Sequence, residues 1–181
     1  MILRREQPAD ISVVHQIHVA AFQRQADEEP MEARLLEALR MCDSWQDRFS
    51  LVVESGDAAV DPAGSGREVI AHAVCTRGQV DDVPVLALGP IAVRPDRQRS
   101  GAGSALVHGL IGAADATGEP MIVLLGSPVY YGRFGFVRSS DVGIEPPQPE
   151  WHEHFQVRPL SSYRQTIRGG FVYASPFRTV Q

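Results

Sequence analysis

The run LALGPIAVRPDRQRSGAGS, residues 86–104, joins a strand, a basic glycine-rich turn and the start of a helix in one segment. Leu86 to Val93 is apolar enough for a strand, yet Pro90 lies inside it. Proline cannot donate to a sheet ladder, so Gly89-Pro90 predicts a bulge where the strand parts from a neighbour. Parting leaves N–H and C=O groups free to bond an extended, amide-bearing ligand that lies in the gap like an added strand. Arg94, Arg97 and Arg99 then face Asp96 alone, and Gly101 and Gly103 open a helix whose first N–H groups attract anions. The segment therefore reads as a cradle for a phosphorylated molecule.

Two common cradles are excluded by what the segment lacks. Leu106 stands where a dinucleotide fingerprint needs its third small residue, and the turn from Val93 to Gly101 is too long for that motif. No Gly-Lys-Ser or Gly-Lys-Thr follows, which removes the nucleoside-triphosphate P-loop. The pantetheine arm of coenzyme A has the extended, amide-bearing shape that the gap beside Pro90 calls for.

Working outward, Ile11, Val14, Ile17 and Ala21 fall at helical spacing, with Pro8 in the first turn and an end near Phe22. Met31, Leu35, Leu39 and Cys42 predict a second helix, and the acidic stretch Gln23 to Pro30 joins the two as an elbow. Phe49–Glu54, Glu68–Thr76 and Val83–Val93 read as antiparallel strands, with a long hairpin loop from Ser55 to Gly66. A helix with Leu106, Leu110, Ile111 and Ala114 on its apolar face closes at Gly118 and Pro120. Met121–Leu125 is a short apolar run suited to a central strand, parallel to the one before the helix. A helical turn near Tyr130 returns into a strand at Phe136. Phe155–Leu160 and Phe171–Ala174 are late strands, with a loop around Gly169-Gly170.

The chain has 181 residues, 44% hydrophobic and 22% charged, and is read as one domain over residues 1–181. Its net charge of -5 argues against a nucleic-acid partner. No apolar run reaches the ~20 residues of a membrane span, and the first residues become charged too early for a signal peptide. A cytoplasmic location is expected. Two cysteines, Cys42 and Cys75, supply neither a disulfide framework nor a four-cysteine zinc site.

Gln98-Arg-Ser-Gly101-Ala-Gly103 resembles the Gln/Arg-x-x-Gly-x-Gly/Ala hallmark of the GNAT superfamily of acetyl-CoA-dependent N-acetyltransferases. Tyr130-Tyr131-Gly-Arg-Phe-Gly135-Phe136 is similar to a second signature of that family. Leu88 to Val93, Leu124 to Tyr131 and the late Tyr173-x-x-Pro-Phe177 resemble its bacterial YhbS-like group. The resemblance implies an α/β (α+β) fold: a mixed central sheet of about seven strands flanked by helices, its fourth and fifth strands splayed apart. It implies acetyl-CoA as cosubstrate, with Ile91, Ala92 and Val93 pairing by backbone with the pantetheine. Gln98, Arg99, Ser100, Gly101, Ala102, Gly103 and Ser104 would hold the pyrophosphate, with Arg97 and Arg99 in reach of it. Tyr131 would protonate the departing thiolate, Tyr130 facing elsewhere, and Leu88 or Gly89 would offer an oxyanion N–H.

The general base is left among Glu28, Glu29 and His72, each with an ordinary structural reading beside it. His152-x-His154 has a metal-like spacing without a companion ligand, and no metal is expected. The acceptor is a small-molecule amine or a protein amino group, and monomer and homodimer are both open. A non-catalytic acyl-CoA-binding module is the alternative reading. An aminoglycoside-modifying enzyme is a third, and it requires an acidic acceptor cleft.

Overall fold

The computed structural model describes residues 1–25, 28–55 and 67–179. The expected loop from Ser55 to Gly66 lies, apart from Ser55, outside the described residues, as does Asp27 of the elbow. Among the described residues nine strands join into one sheet: β1 (Ile2–Arg5), β2 (Ser50–Glu54), β3 (Val69–Val80), β4 (Val83–Val93), β5 (Met121–Leu125), β6 (Val137–Arg138), β7 (Ile144–Glu145), β8 (Phe155–Pro159) and β9 (Gly169–Val172). The main order is β1-β2-β3-β4-β5-β8-β6, with β9 on β3 and β7. The strand expected at Phe136 is β6, one residue later and two residues long; beyond the expected strands stand β1, which is four residues long, and β7, whose two residues are too few for a period. Gly169 and Gly170, expected in a loop, begin β9 and pair with β7. No helix among the described residues is long and apolar enough to cross a membrane.

Every pair in the main order is antiparallel except β4 with β5, which is parallel. The connection is α3 (Ala102–Ala116), the crossover that a parallel pair requires. Successive β3 side chains point to opposite faces. Ala73 and Cys75 pack with Leu106, Leu110 and Ala114 of α3, while Val74 packs with Val14 and Ile17 of α1 (Ile11–Phe22) and Leu36 of α2 (Met31–Arg40). Both faces are covered, which is why β3 lacks a polar alternation over Val69–Thr76. Cys42, placed by spacing on the second helix, lies just past its end.

Beneath α1 the core holds a buried polar chain. Arg40 and Ser50 both bond the Glu6 carboxylate, whose side chain is only 5% exposed. Ser50 Oγ lies 2.9 Å from His72 Nε2, and His72 Nδ1 lies 2.9 Å from His18 Nε2. A carboxylate only accepts, so the donors run one way: Ser50 to Glu6, His72 to Ser50, His18 to His72. Burial holds both imidazoles below their usual pKa, so both are neutral at pH 7. Burial pushes the Glu6 carboxyl up, but bonds from His72, Arg40 and Ser50 outweigh it and bring it down to about 2. A depressed carboxyl contributes stability above its unfolded value of about 4.5, and that contribution disappears between about 4.5 and about 2. The two histidines add acid sensitivity from about 6.5 downward, because the unfolded chain takes up their protons first. Glu6→Gln should cost about 3 kcal/mol at pH 7 and flatten the loss between pH 4.5 and 3 in urea titrations. An unchanged acid slope would show that the carboxylate is not the responsible group.

Candidate active site

Register fixes the geometry at Pro90. Ala73 of β3 faces Ile91, but Cys75 faces Leu88, so β4 carries one extra residue at Gly89-Pro90. The β4–β5 ladder holds only at Leu86 with Ile122 and Ala87 with Val123. From Leu88 to Val93 the edge of β4 turned toward β5 has no strand partner among the described residues. The Gln98 side-chain amide donates to Val93 O at 3.4 Å. This is the splay expected from the proline.

A cavity of about 730 Å³ opens at the parting, with Ile91, Ala92 and Val93 along one wall. Gln98, Arg99, Gly101, Gly103 and Ser104 form its end, where α3 begins. Gly101 is the residue before the helix and has φ +94°, a left-handed conformation that glycine adopts without strain. Its carbonyl accepts the first helical bond, from Ala105 at 2.9 Å, so the N–H groups of Ala102, Gly103 and Ser104 precede the ladder. They make an anion site with the dipole of a 15-residue helix behind it.

Two of the expected cofactor residues do not line the cavity. The Ala102 side chain is buried in the core, and Ser100 turns its hydroxyl back to Arg97 O at 2.6 Å. The arginines divide as well. Arg94 pairs with Glu68 and Asp96, Arg97 leans toward Asp96 at 3.6 Å, and only Arg99 of the three lines the cavity. Arg133, which sequence reasoning missed, also lines it and lies 4.1 Å from the centre of the Tyr130 ring. Two guanidiniums and no carboxylate thus border this space among the described residues.

Tyr131 lies on the short helix α4 (Pro128–Tyr131) and lines the same cavity. Its ring sits on Gly126, where an added Cβ would come within 2.8 Å of Cδ2, and against Phe136 at 5.8 Å between centroids. Burial, with the Tyr130 phenol adding to it, pushes the Tyr131 hydroxyl up to about 12. Tyr130 does not face away as expected. It lines the cavity too, with its hydroxyl 3.0 Å from where a Gly103 Cβ would stand. Neighbouring helical positions differ by about 100°, and a wide cavity meets both.

A second cavity, of about 580 Å³, lies on the other side of the bulge. Leu88, Gly89 and Pro90 line it, opposite Leu125 of β5. The expected oxyanion donors, Leu88 and Gly89, therefore border the second space, just before those residues of β4 that line the first. The base candidates are placed elsewhere. His72 belongs to the buried chain under α1. Glu28 and Glu29 line neither cavity but an adjoining cleft, which shares Phe22 with the first cavity and Met31 and Glu32 with the second, and Glu29 approaches His15 at 3.4 Å. His152 and His154 are exposed, and His154 Nδ1 lies 3.3 Å from Gly126 O.

Comparison with known proteins agrees with this geometry. Residues 3–138 match the family described as acetyltransferase (GNAT) domain, and the chain belongs to that family. A curated relative, the uncharacterized N-acetyltransferase YjhQ of Escherichia coli K12, is 29% identical over 120 residues, or 62% of this chain. The match spans 66% of that relative's length. Among solved structures, a GNAT family acetyltransferase from Brucella melitensis in complex with acetyl-CoA is 26% identical, with a TM-score of 0.71 and 97% of each chain covered. The GNAT family N-acetyltransferase YhbS from Escherichia coli in complex with CoA superimposes with a TM-score of 0.80 at 22% identity, covering 98% of this chain and 91% of its own. That second likeness is one of fold.

Proposed function

We propose that the 730 Å³ cavity binds acetyl-CoA and that the chain, acting as one domain, transfers the acetyl group to a primary amine. The carrying observation is the meeting of three features in one space: the unpaired edge of β4, the glycine-started helix α3, and the Tyr131 phenol. The Brucella relative's acetyl-CoA complex supports the choice of cosubstrate.

The residues fit such a molecule. Backbone groups of Ile91, Ala92 and Val93 bond the pantetheine amides as a neighbouring strand would. The N–H groups of Ala102, Gly103 and Ser104 receive the pyrophosphate, and Gln98 and Arg99 flank it. Ser100 and Gly101 shape the turn. When bound, acetyl-CoA supplies an acetyl group activated as a thioester. The acceptor's nitrogen gains a C–N bond as the C–S bond breaks, and the amine proton leaves to water. An N–H at Leu88 or Gly89 would stabilise the negative charge on the carbonyl oxygen, and the Tyr131 hydroxyl would give its proton to the sulfur.

Calorimetry with acetyl-CoA should show one site per chain, and free thiol should accumulate only when an amine is added. Absence of acetyl-CoA binding would overturn the assignment; binding without amine-dependent thiol release would favour a non-catalytic module. The same assay tests the phenol. A general acid must hold its proton, and a hydroxyl pushed up to about 12 holds it throughout the usual range. The rate should therefore rise from pH 7 to ~10 as the alkyl ammonium deprotonates, without a falling limb. A decline that begins below pH ~10 would point to another acid. The small number of cysteines, both free, supports work in a reducing cytoplasm.

A further inference from the structure

We propose that the acceptor is a small monoamine with an aromatic or branched apolar body, held in the 580 Å³ cavity across the bulge from the acetyl-CoA site. This rests on the acetyltransferase reading above.

The cavity lies where an acceptor must arrive. Leu88, Gly89 and Pro90 line it, while the next three β4 residues line the first cavity, so one stretch of strand separates the two ligands. Its size suits a small molecule rather than a protein segment. Its walls are aromatic: Trp151, Phe171, Tyr173 and Phe177, drawn from the turn Pro149–His154, from β9, and from α5 (Pro176–Thr179) and the residues before it. These rings brace one another, with Phe171 perpendicular to Tyr173 at 4.7 Å and Tyr173 against Phe177 at 4.5 Å. The space is therefore preformed and presents flat apolar surface to its occupant.

Charge narrows the occupant further. Among the described residues Glu32 is the one carboxylate on this cavity and Arg178 the one guanidinium. A polyamine or an aminoglycoside carries several ammonium groups and would leave most of them unpaired against aromatic walls. A single ammonium finds a single partner in Glu32, at the first turn of α2. The Tyr173 hydroxyl, which makes no hydrogen bond to a described residue, remains a neutral donor because burial pushes its pKa up. Glu28 and Glu29 lie in the adjoining cleft that shares Met31 and Glu32 with this cavity, so it is the aromatic walls that disfavour a polycation here.

The test compares 2-phenylethylamine, spermidine, kanamycin and a short peptide with a free N-terminus, assayed by thiol release at saturating acetyl-CoA. The expected kcat/KM for 2-phenylethylamine exceeds that of each of the others by ~10-fold or more. Phe177→Ala should raise its KM ~10-fold while the acetyl-CoA Kd stays unchanged. Phe177 lies on a four-residue terminal helix, and Glu32→Gln, a near-isosteric change on α2, gives a second readout that does not depend on the packing of that helix. It should raise the KM of the amine without altering acetyl-CoA affinity. Equal or better use of spermidine, kanamycin or the peptide would overturn the proposal, as would acetyl-CoA binding with no turnover of 2-phenylethylamine. Those outcomes leave the acetyl-CoA site standing, whereas loss of acetyl-CoA binding itself would remove the earlier assignment.

Discussion

Tyr131→Phe should lower kcat by ~10²–10⁴-fold and leave acetyl-CoA affinity intact. The substitution removes one oxygen and keeps the ring, which is what holds the position: it packs on Gly126 and against Phe136 and Phe134. No side chain or carbonyl among the described residues hydrogen-bonds the hydroxyl, so its loss orphans no buried protein group. A purely structural tyrosine would therefore tolerate phenylalanine with little change in either stability or rate. Rapid-quench or thiol-release kinetics with a verified amine distinguish the two cases, and an unaltered kcat would take Tyr131 out of the reaction. Tyr130→Phe serves as the comparison, because that hydroxyl sits against Gly103 at the helix start rather than on the Gly126 side.

The second large effect lies at Gly101. Valine there would have to adopt φ near +94°, which a β-branched side chain strongly disfavours, so the turn must move. Among the described residues beyond its chain neighbours, only Met1 Cε, at 3.7 Å, comes within 4 Å of an added Cβ, so the strain lies in the backbone and is not a collision. A moved turn re-aims the N–H groups of Ala102, Gly103 and Ser104. Losing two charge-assisted bonds of about 1.5–3 kcal/mol each weakens acetyl-CoA binding by ~10²–10⁴-fold. Calorimetry on a variant with native circular dichroism gives the answer, and a normal Kd would contradict the anion site at α3.

Much of this site was legible because its parts are contiguous. Pro90 within an apolar run, the glycines opening α3 and the tyrosine pair each carry their meaning within a few residues of themselves. The same locality explains the splay, since a proline in a strand has few places to go. What the sequence did not disclose depends on distance. Trp151 and Phe177 come to one cavity with Leu35 only through folding, and an aromatic in a sequence marks burial without saying what it surrounds. His18 and His72 are 54 positions apart, so no spacing announced their contact. Arg133 had a local signal, three residues after Tyr130 on a helical turn, but arginine at such a place is usually only solvated. The strand β7 is legible only as a ladder, because two residues make no period.

The two chambers have no lining residue in common among the described residues. The first is built around β4 and the glycine-rich start of α3, whose backbone shape tolerates little substitution. Side chains from the C-terminal third, with a few from α2, dominate the second. Mutational drift in that third can retune which nucleophile is welcomed while the acyl donor is still gripped as before, so descendants of one such ancestor are free to diversify their chemistry by editing a single partner's berth.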